Sequence, residues 1–485
     1  MANAIDGLKP SLVWKYFAEI SKIPRGSKNE KKISAYIVQT AKSLGLEAKQ
    51  DKLLNVVVKK PATPGREHMP SLCLQGHLDM VCEKNKDTVH DFEKDPIELV
   101  RKGNTLMANG TTLGADNGVA VATNLAIMED KSLEHGPLEF LFTVDEETGL
   151  TGANNLKPGF LTSTTLMNLD SEEEGALYVG CSGGRNTVGT WKVGTEKAPG
   201  KSTAVALHVK GLRGGHSGLE IDKGRGNSIK ILNRVLIALD KVDVRLSSVE
   251  GGNKSNAIPR EAEALLYIPA KNLKKAKAIV DQCNSTVKAE LATVEPDLSI
   301  SIETVETKKK GNVVKKADQK KLTQTIAALP HGVTKMSADI PGLVETSTNV
   351  AIIRTEKSKI ILTTSQRSSV ASEIDEIVQT VAAVFSLGEA NVFLAEGYPG
   401  WKPNLDSRIL KVAKSTYQSL YGKEAEVKAI HAGLECGIIG EKFPNMDMVS
   451  FGPTLEGVHS PDEKIYIDTV EKFWNFLLGI LKNAN

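Results

Sequence analysis

The chain has 485 residues, 40% hydrophobic and 25% charged, which excludes a fibrous or disordered polymer and makes two domains the default. Its 61 basic and 59 acidic residues leave a net charge of +2, so no polyanionic partner is called for and no nucleic acid is expected. No apolar stretch reaches about 18 residues, the opening MANAIDGLKP lacks a signal-peptide layout, and 5 cysteines are scattered without CxxC pairs. The expectation is a cytoplasmic chain with reduced thiols and no membrane partner.

In chain order, the spacing of apolar residues predicts helices over 12–20 and 30–44, then strands at 54–58 and 71–75. The Gly-rich TTLGADNG leads into a helix-length apolar run at 119–128. LEFLFTV reads as a buried strand, and 165–170 as another. Helices alternating with wholly apolar strands indicate an α/β domain with a mostly parallel central sheet flanked by helices.

From about Ser182 the strands turn polar and alternating, as in AVALHVKG and AEALLYIPA, with helices at 227–239 and 273–282 between them. Residues 188–397 therefore read as an inserted α+β lid or dimerisation-type domain, interrupting a catalytic domain formed by 1–187 and 398–485. The segments beginning at Ser255 and Ser347 share an order of Asn, apolar residues, Arg, strand and helix, which suggests a loose duplication. The basic run Lys308 to Lys321 is read as a solvated loop. A helix at 407–420 and a strand at 446–451 close the first domain.

His77, Asp79, Glu146, Glu147 and Asp170 all fall just after predicted strands, where an open parallel sheet binds its ligands. Asp116 is the one acidic residue in the turn GADNG. Singly, each has an ordinary reading: Asp116 a helix cap, Asp170 a turn residue, His77 a satisfied core histidine. Together they have the composition of a hydrolytic metal centre, and His with carboxylate but no thiolate suits zinc, cobalt or manganese. A second histidine is needed for two metals, and His459, after FGPTLEG, has the best context. His68, His90, His135 and His331 are expected at the surface.

Two other motifs are set aside. Gly180-Cys181-Ser182-Gly183-Gly184 matches a nucleophile elbow, but a strand rather than a helix is predicted after it. The glycines before His216 in GLRGGHSG lack the Lys-Ser/Thr of a phosphate loop and serve better as a turn presenting His216.

The stretches GHLDMV, KNKDTVHDFEKDPI, TTLGADNGV, DEETGL, NLDSEEEG, RGGHSG, SQRSS and HAGLECG closely resemble the aminoacyl-histidine dipeptidases of the peptidase D, carnosine-cleaving type. That group lies within the co-catalytic zinc peptidase family, which also holds bacterial tripeptidase, glutamate carboxypeptidase and aminoacylase. The resemblance runs nearly end to end. It implies that His77 and Asp170 hold one metal and Glu147 and His459 the other, with Asp116 bridging and followed by a cis peptide. It implies further that Glu146 is the acid/base, that Asp79 orients His77, and that His216 is the lid histidine facing a developing oxyanion.

For a dipeptide both ends must be recognised. Arg367 offers a fork for the C-terminal carboxylate, Asn256 resembles a substrate-contacting lid asparagine, and Glu435 could receive the α-amine beside Gly433. The reading is a two-metal dipeptidase for unblocked dipeptides, Xaa-His types included. Zinc is the first choice of metal, and relatives form a homodimer. The alternatives are an aminoacylase, deacylase or tripeptidase on the same scaffold, or a non-catalytic metal or peptide binder. Whether His216 serves its own site or a neighbour's stays open.

Overall fold

The computed structural model describes residues 4–306 and 311–484. It separates into two compact units. The first is Met1–Gly180 with Trp401–Ala429 and Leu434–Asn485; the second is Cys181–Gly400 with Ile430–Gly433. The division therefore falls at Cys181 and Gly400 rather than at 188 and 397, and Ile430–Gly433, which include the first three residues of HAGLECG, join the second unit.

The first unit is built on an eight-stranded sheet whose centre runs 138–143, 72–77, 165–168, 447–450. These four strands are parallel, and the pairings outward from 138–143 through 56–60 to 47–50 are antiparallel. Every residue of Leu72–His77 and Leu138–Thr143 is buried, as expected for a sheet covered on both faces. Register sets Leu72 opposite both Leu138 and Thr165, and His77 opposite Thr143. Two strands end level at His77 and Thr143 and the third, Thr165–Asn168, stops opposite Gln75, so the chain leaving all three carries Asp79, Glu146, Glu147 and Asp170 past one edge.

Helix Ser11–Ile20 buries Val13, Trp14, Phe17 and Ile20, spaced three and four residues apart, and packs on helix Ala115–Glu129. The C-terminal helix Ile467–Asn483, which no sequence pattern singled out above, buries Val470, Phe473, Leu477 and Ile480 in the same way. Each such side chain contributes about 1.5–3 kcal/mol of burial.

The second unit holds a nine-stranded sheet. Its path is 299–304, 202–210, 262–269, 245–251, 344–356, 359–368, 183–192, 391–394, and the ninth strand, 332–336, pairs with 344–356 off that path. The strand-then-helix pairs 262–269 with 273–290 and 359–368 with 371–387 correspond to the two similar segments seen in the sequence. Each occupies the matching place in its half of the sheet, the halves meeting where 245–251 pairs with 344–356.

Several expectations need correction. The strand set at 54–58 is Val56–Lys60, preceded by an unforeseen strand, Glu47–Gln50. The helix expected at 273–282 continues to Glu290. The basic run is no loop where it is described, since Asn312–Val314 is a strand and Lys316–Ala328 a helix; Lys308–Lys310 lie outside the described residues. His135, expected at the surface, is buried with its Nδ1 2.7 Å from the Gly136 carbonyl.

Candidate metal centre

In the first unit, His77 Nε2 lies 3.2 Å from Asp116 Oδ1 and 3.3 Å from Asp170 Oδ1. His459 Nε2 lies 3.2 Å from Asp116 Oδ2 and 3.0 Å from Glu147 Oε2. The two oxygens of Asp116 thus face different histidines, the disposition a bridging carboxylate needs. The atoms of His77, Asp116 and Asp170 gather within 4.8 Å of one another, as do those of Asp116, Glu147 and His459.

Each Nε2 carries at most one proton yet faces two carboxylate oxygens, so one proton is shared where a cation would satisfy both. Glu147 Oε1 and Asp170 Oδ1 are moreover buried without a hydrogen-bond partner. A pair of divalent cations satisfies both conditions, so these residues fit two metals. The electrostatics agree. Asp116 is raised by burial, but bonds from His459 and His77 outweigh this and hold its carboxyl well below the usual range. His459 is pushed up to about 11 by Asp116 and Glu147.

The chain builds this group with backbone devices. Asp116–Asn117 is cis, as the resemblance implied, and both residues have non-helical dihedrals inside the helix that begins at Ala115. Asn117 is pinned on both sides: its Nδ2 donates to the Leu169 carbonyl at 2.8 Å, and its Oδ1 accepts from His77 N at 3.2 Å. Asp79 lies two residues beyond the end of the strand, just after it as expected. Its carboxylate stands 3.4 Å from His77 Nδ1 and accepts from the amides of Glu146 and Glu147 at 3.0 and 3.2 Å. It therefore holds the Glu146–Glu147 backbone by hydrogen bonds while standing beside the imidazole.

Glu146 and Glu147 begin a four-residue helix, entered through Asp145 in the left-handed region. Both carboxylates come within 4.8 Å of His77 ring atoms. Burial raises the Glu146 carboxyl well above its ordinary range, countered by His77. Glu435 is fully buried, with Gln75 Nε2 and Thr143 Oγ1 both 2.6 Å from Oε2, and burial pushes it up to about 7. Its Oε1 has no hydrogen-bond partner.

The second unit carries a separate, basic cluster. His216 Nδ1 accepts from the amides of Gly218 and Leu219 at 3.3 and 3.1 Å, which leaves the ring proton on Nε2. That nitrogen lies 3.5 Å from Arg367 Nη2, so two donors converge, as an anion-binding site requires. Burial and the Arg367 charge hold His216 down to about 4. Arg367, which as a lone arginine defaults to the surface, is buried, and its Nη1 donates to Tyr398 Oη at 3.0 Å.

Gly433 is required by Tyr398, since a Cβ there would stand 2.8 Å from the ring; the close approach is to that ring. Asn256 is exposed, with its carbonyl accepting from Ser217 N at 2.8 Å. Sequence reasoning missed His431, buried with Nε2 2.7 Å from Ser347 Oγ and held down to about 3 by burial, Arg367 and His216. Its place in HAGLECG was the available signal. Ser182 of the rejected elbow lies between two strands, not before a helix.

The family model for Peptidase family M20/M25/M40 matches residues 73–483. The chain belongs to that family. It is 40% identical over 481 residues, 99% of each chain, to the cytosol non-specific dipeptidase of Escherichia coli (strain K12). The crystal structure of aminoacylhistidine dipeptidase from Vibrio alginolyticus matches at a TM-score of 0.90 with 41% identity, covering 99% of this chain and 98% of that one. A tripeptidase structure from Staphylococcus aureus, 17% identical with a TM-score of 0.57, shares the fold. Among the described residues, no helix is long and apolar enough to cross a membrane.

Proposed function

We propose that the chain is a two-metal dipeptidase that hydrolyses unblocked dipeptides, Xaa-His types included. The observation that carries this is Asp116, whose two oxygens face His77 and His459 separately while Glu146 stands beside the group. Full-length similarity to enzymes named as dipeptidases supports the substrate class. His77, Asp116 and Asp170 would hold one cation, and Asp116, Glu147 and His459 the other. Zinc is the first choice, with cobalt or manganese also suited to this donor set.

Bound divalent cations supply positive charge that acidifies water and polarises a carbonyl. Glu146 removes the proton from the attacking water and returns it to the leaving amine, so the carboxylate ends as it began. Asp79 keeps His77 and the Glu146 backbone in place throughout. His216, with its proton on Nε2, is the proposed donor to the oxyanion. Arg367 is proposed to receive the C-terminal carboxylate, and Asn256, whose backbone carbonyl is bonded to Ser217 next to His216, to contact the substrate. The open Oε1 of Glu435 is proposed for the α-amine. A cytoplasmic location and a homodimer complete the reading, the first supported by the Escherichia coli relative's name.

The test is a panel of unblocked and N-acetylated dipeptides. The proposal expects hydrolysis of the free forms, Xaa-His among them. Faster turnover of the acetylated set would favour an aminoacylase instead.

A further inference from the structure

The histidine of the second candidate metal site is carried by a hairpin loop, 457–463, between the short paired strands Leu455–Glu456 and Lys464–Tyr466. His459 is exposed and sits in the left-handed region at φ 60. The loop's own bonds are internal: Ser460 Oγ donates to the Gly457 carbonyl at 2.6 Å, and Glu463 N to the Ser460 carbonyl at 3.1 Å. Its bonds to the opposite turn run through the His459 ring and the Glu463 carboxylate.

Glu463 is buried and accepts four consecutive backbone amides. Oε2 takes Leu113 N at 2.7 Å and Gly114 N at 2.9 Å; Oε1 takes Ala115 N at 2.7 Å and Asp116 N at 3.2 Å. These four amides belong to the turn that leads through the kink at Asp116 and Asn117, and their convergence on one concave site favours a carboxylate there. The turn that holds Asp116 has other anchors. Arg25, also buried, donates to the carbonyls of Leu78 at 3.1 Å, Asp79 at 3.0 Å and Gly114, and Asn117 is pinned as described above. The strands that flank the His459 loop are held by their ladders, Lys464–Tyr466 pairing with Thr105 to Met107, but among the described residues no other side chain outside the metal group ties the loop itself to the Asp116 turn.

We infer that Glu463 is a positioning residue that locks the His459 loop onto the Asp116 turn and so fixes the second metal site. The inference rests on the two-metal reading. A carboxamide cannot replace this carboxylate, because its NH2 group would meet one of the two amide pairs donor to donor. Glu463→Gln should therefore release the loop while Arg25 and Asn117 keep the turn.

The test is a calorimetric titration of the metal-free full chain with Zn2+. Wild type should show two binding events, and His459→Ala should remove one of them. Glu463→Gln should weaken that same event by about 10–100-fold and leave the other within about threefold. A single event or none in wild type would sink the two-metal reading itself. Two events in wild type that are unchanged in E463Q, or weakened equally, would overturn the inference alone. Should E463Q fail to fold, Glu463→Asp keeps the charge but withdraws it by one methylene. The same selective weakening is expected there, and two unchanged events would overturn the inference.

Discussion

The two units bury opposite chemistries. In the first, six carboxylates surround two histidines: Asp79, Asp116, Glu146, Glu147, Asp170 and Glu435 around His77 and His459. In the second, Arg367, His216 and His431 influence one another, and Glu220, an acid beside them, accepts the His216 amide. An excess of buried negative charge is sustained by cations, and converging buried donors are sustained by an anion.

Replacing one member on each side sharpens this contrast. Glu146→Gln removes the proton acceptor without removing any of the five proposed ligands. Turnover should fall by about 10²–10⁴-fold, while metal content by elemental analysis stays at wild type; activity near wild type would break the assignment. Arg367→Lys keeps the charge but loses the planar fork. It should cost about 10–100-fold in kcat/KM, mostly through KM, with metal content unchanged. A loss confined to kcat would move Arg367 away from carboxylate recognition.

The smallest effect is on stability at acid pH. His431 and His331 are held down to about 3 and about 4, His431 by burial with Arg367 and His216 nearby, His331 by burial with Lys230 nearby. The unfolded chain gains these protons near pH 6.5 and the folded chain does not, so stability is lost as pH falls from about 6.5 toward 4. In the metal-free chain, His431→Gln should show a smaller drop in Tm between pH 7.5 and 5.0 than wild type. An equal drop would show that His431 takes its proton without unfolding.

Much of this contrast could be read from the sequence, because strand-end residues announce themselves. His77 closes an apolar run, Asp116 is the one acid in a glycine turn, and Asp170 follows a third buried strand. What stayed hidden depends on partners remote in the chain. Glu463 meets Leu113 to Asp116 across some 350 positions, and no local pattern marks a glutamate that accepts four amides. Glu435 is sealed by Gln75 and Thr143, whereas a glutamate taken alone defaults to the surface. The assignment of Ile430–Gly433 to the second unit is equally non-local, since those four residues are flanked by chain of the first.

The most direct test of the two-metal account is to strip the chain with a chelator and restore Zn2+ in steps while following hydrolysis of an unblocked dipeptide. The account predicts no turnover without metal and full activity only as the second equivalent is bound. It also predicts a gain in folding stability of about 2.7 kcal/mol for each site at a free-metal level 100-fold above its Kd. Full activity in the metal-free chain, or activity complete at one equivalent with no second binding event, would contradict it.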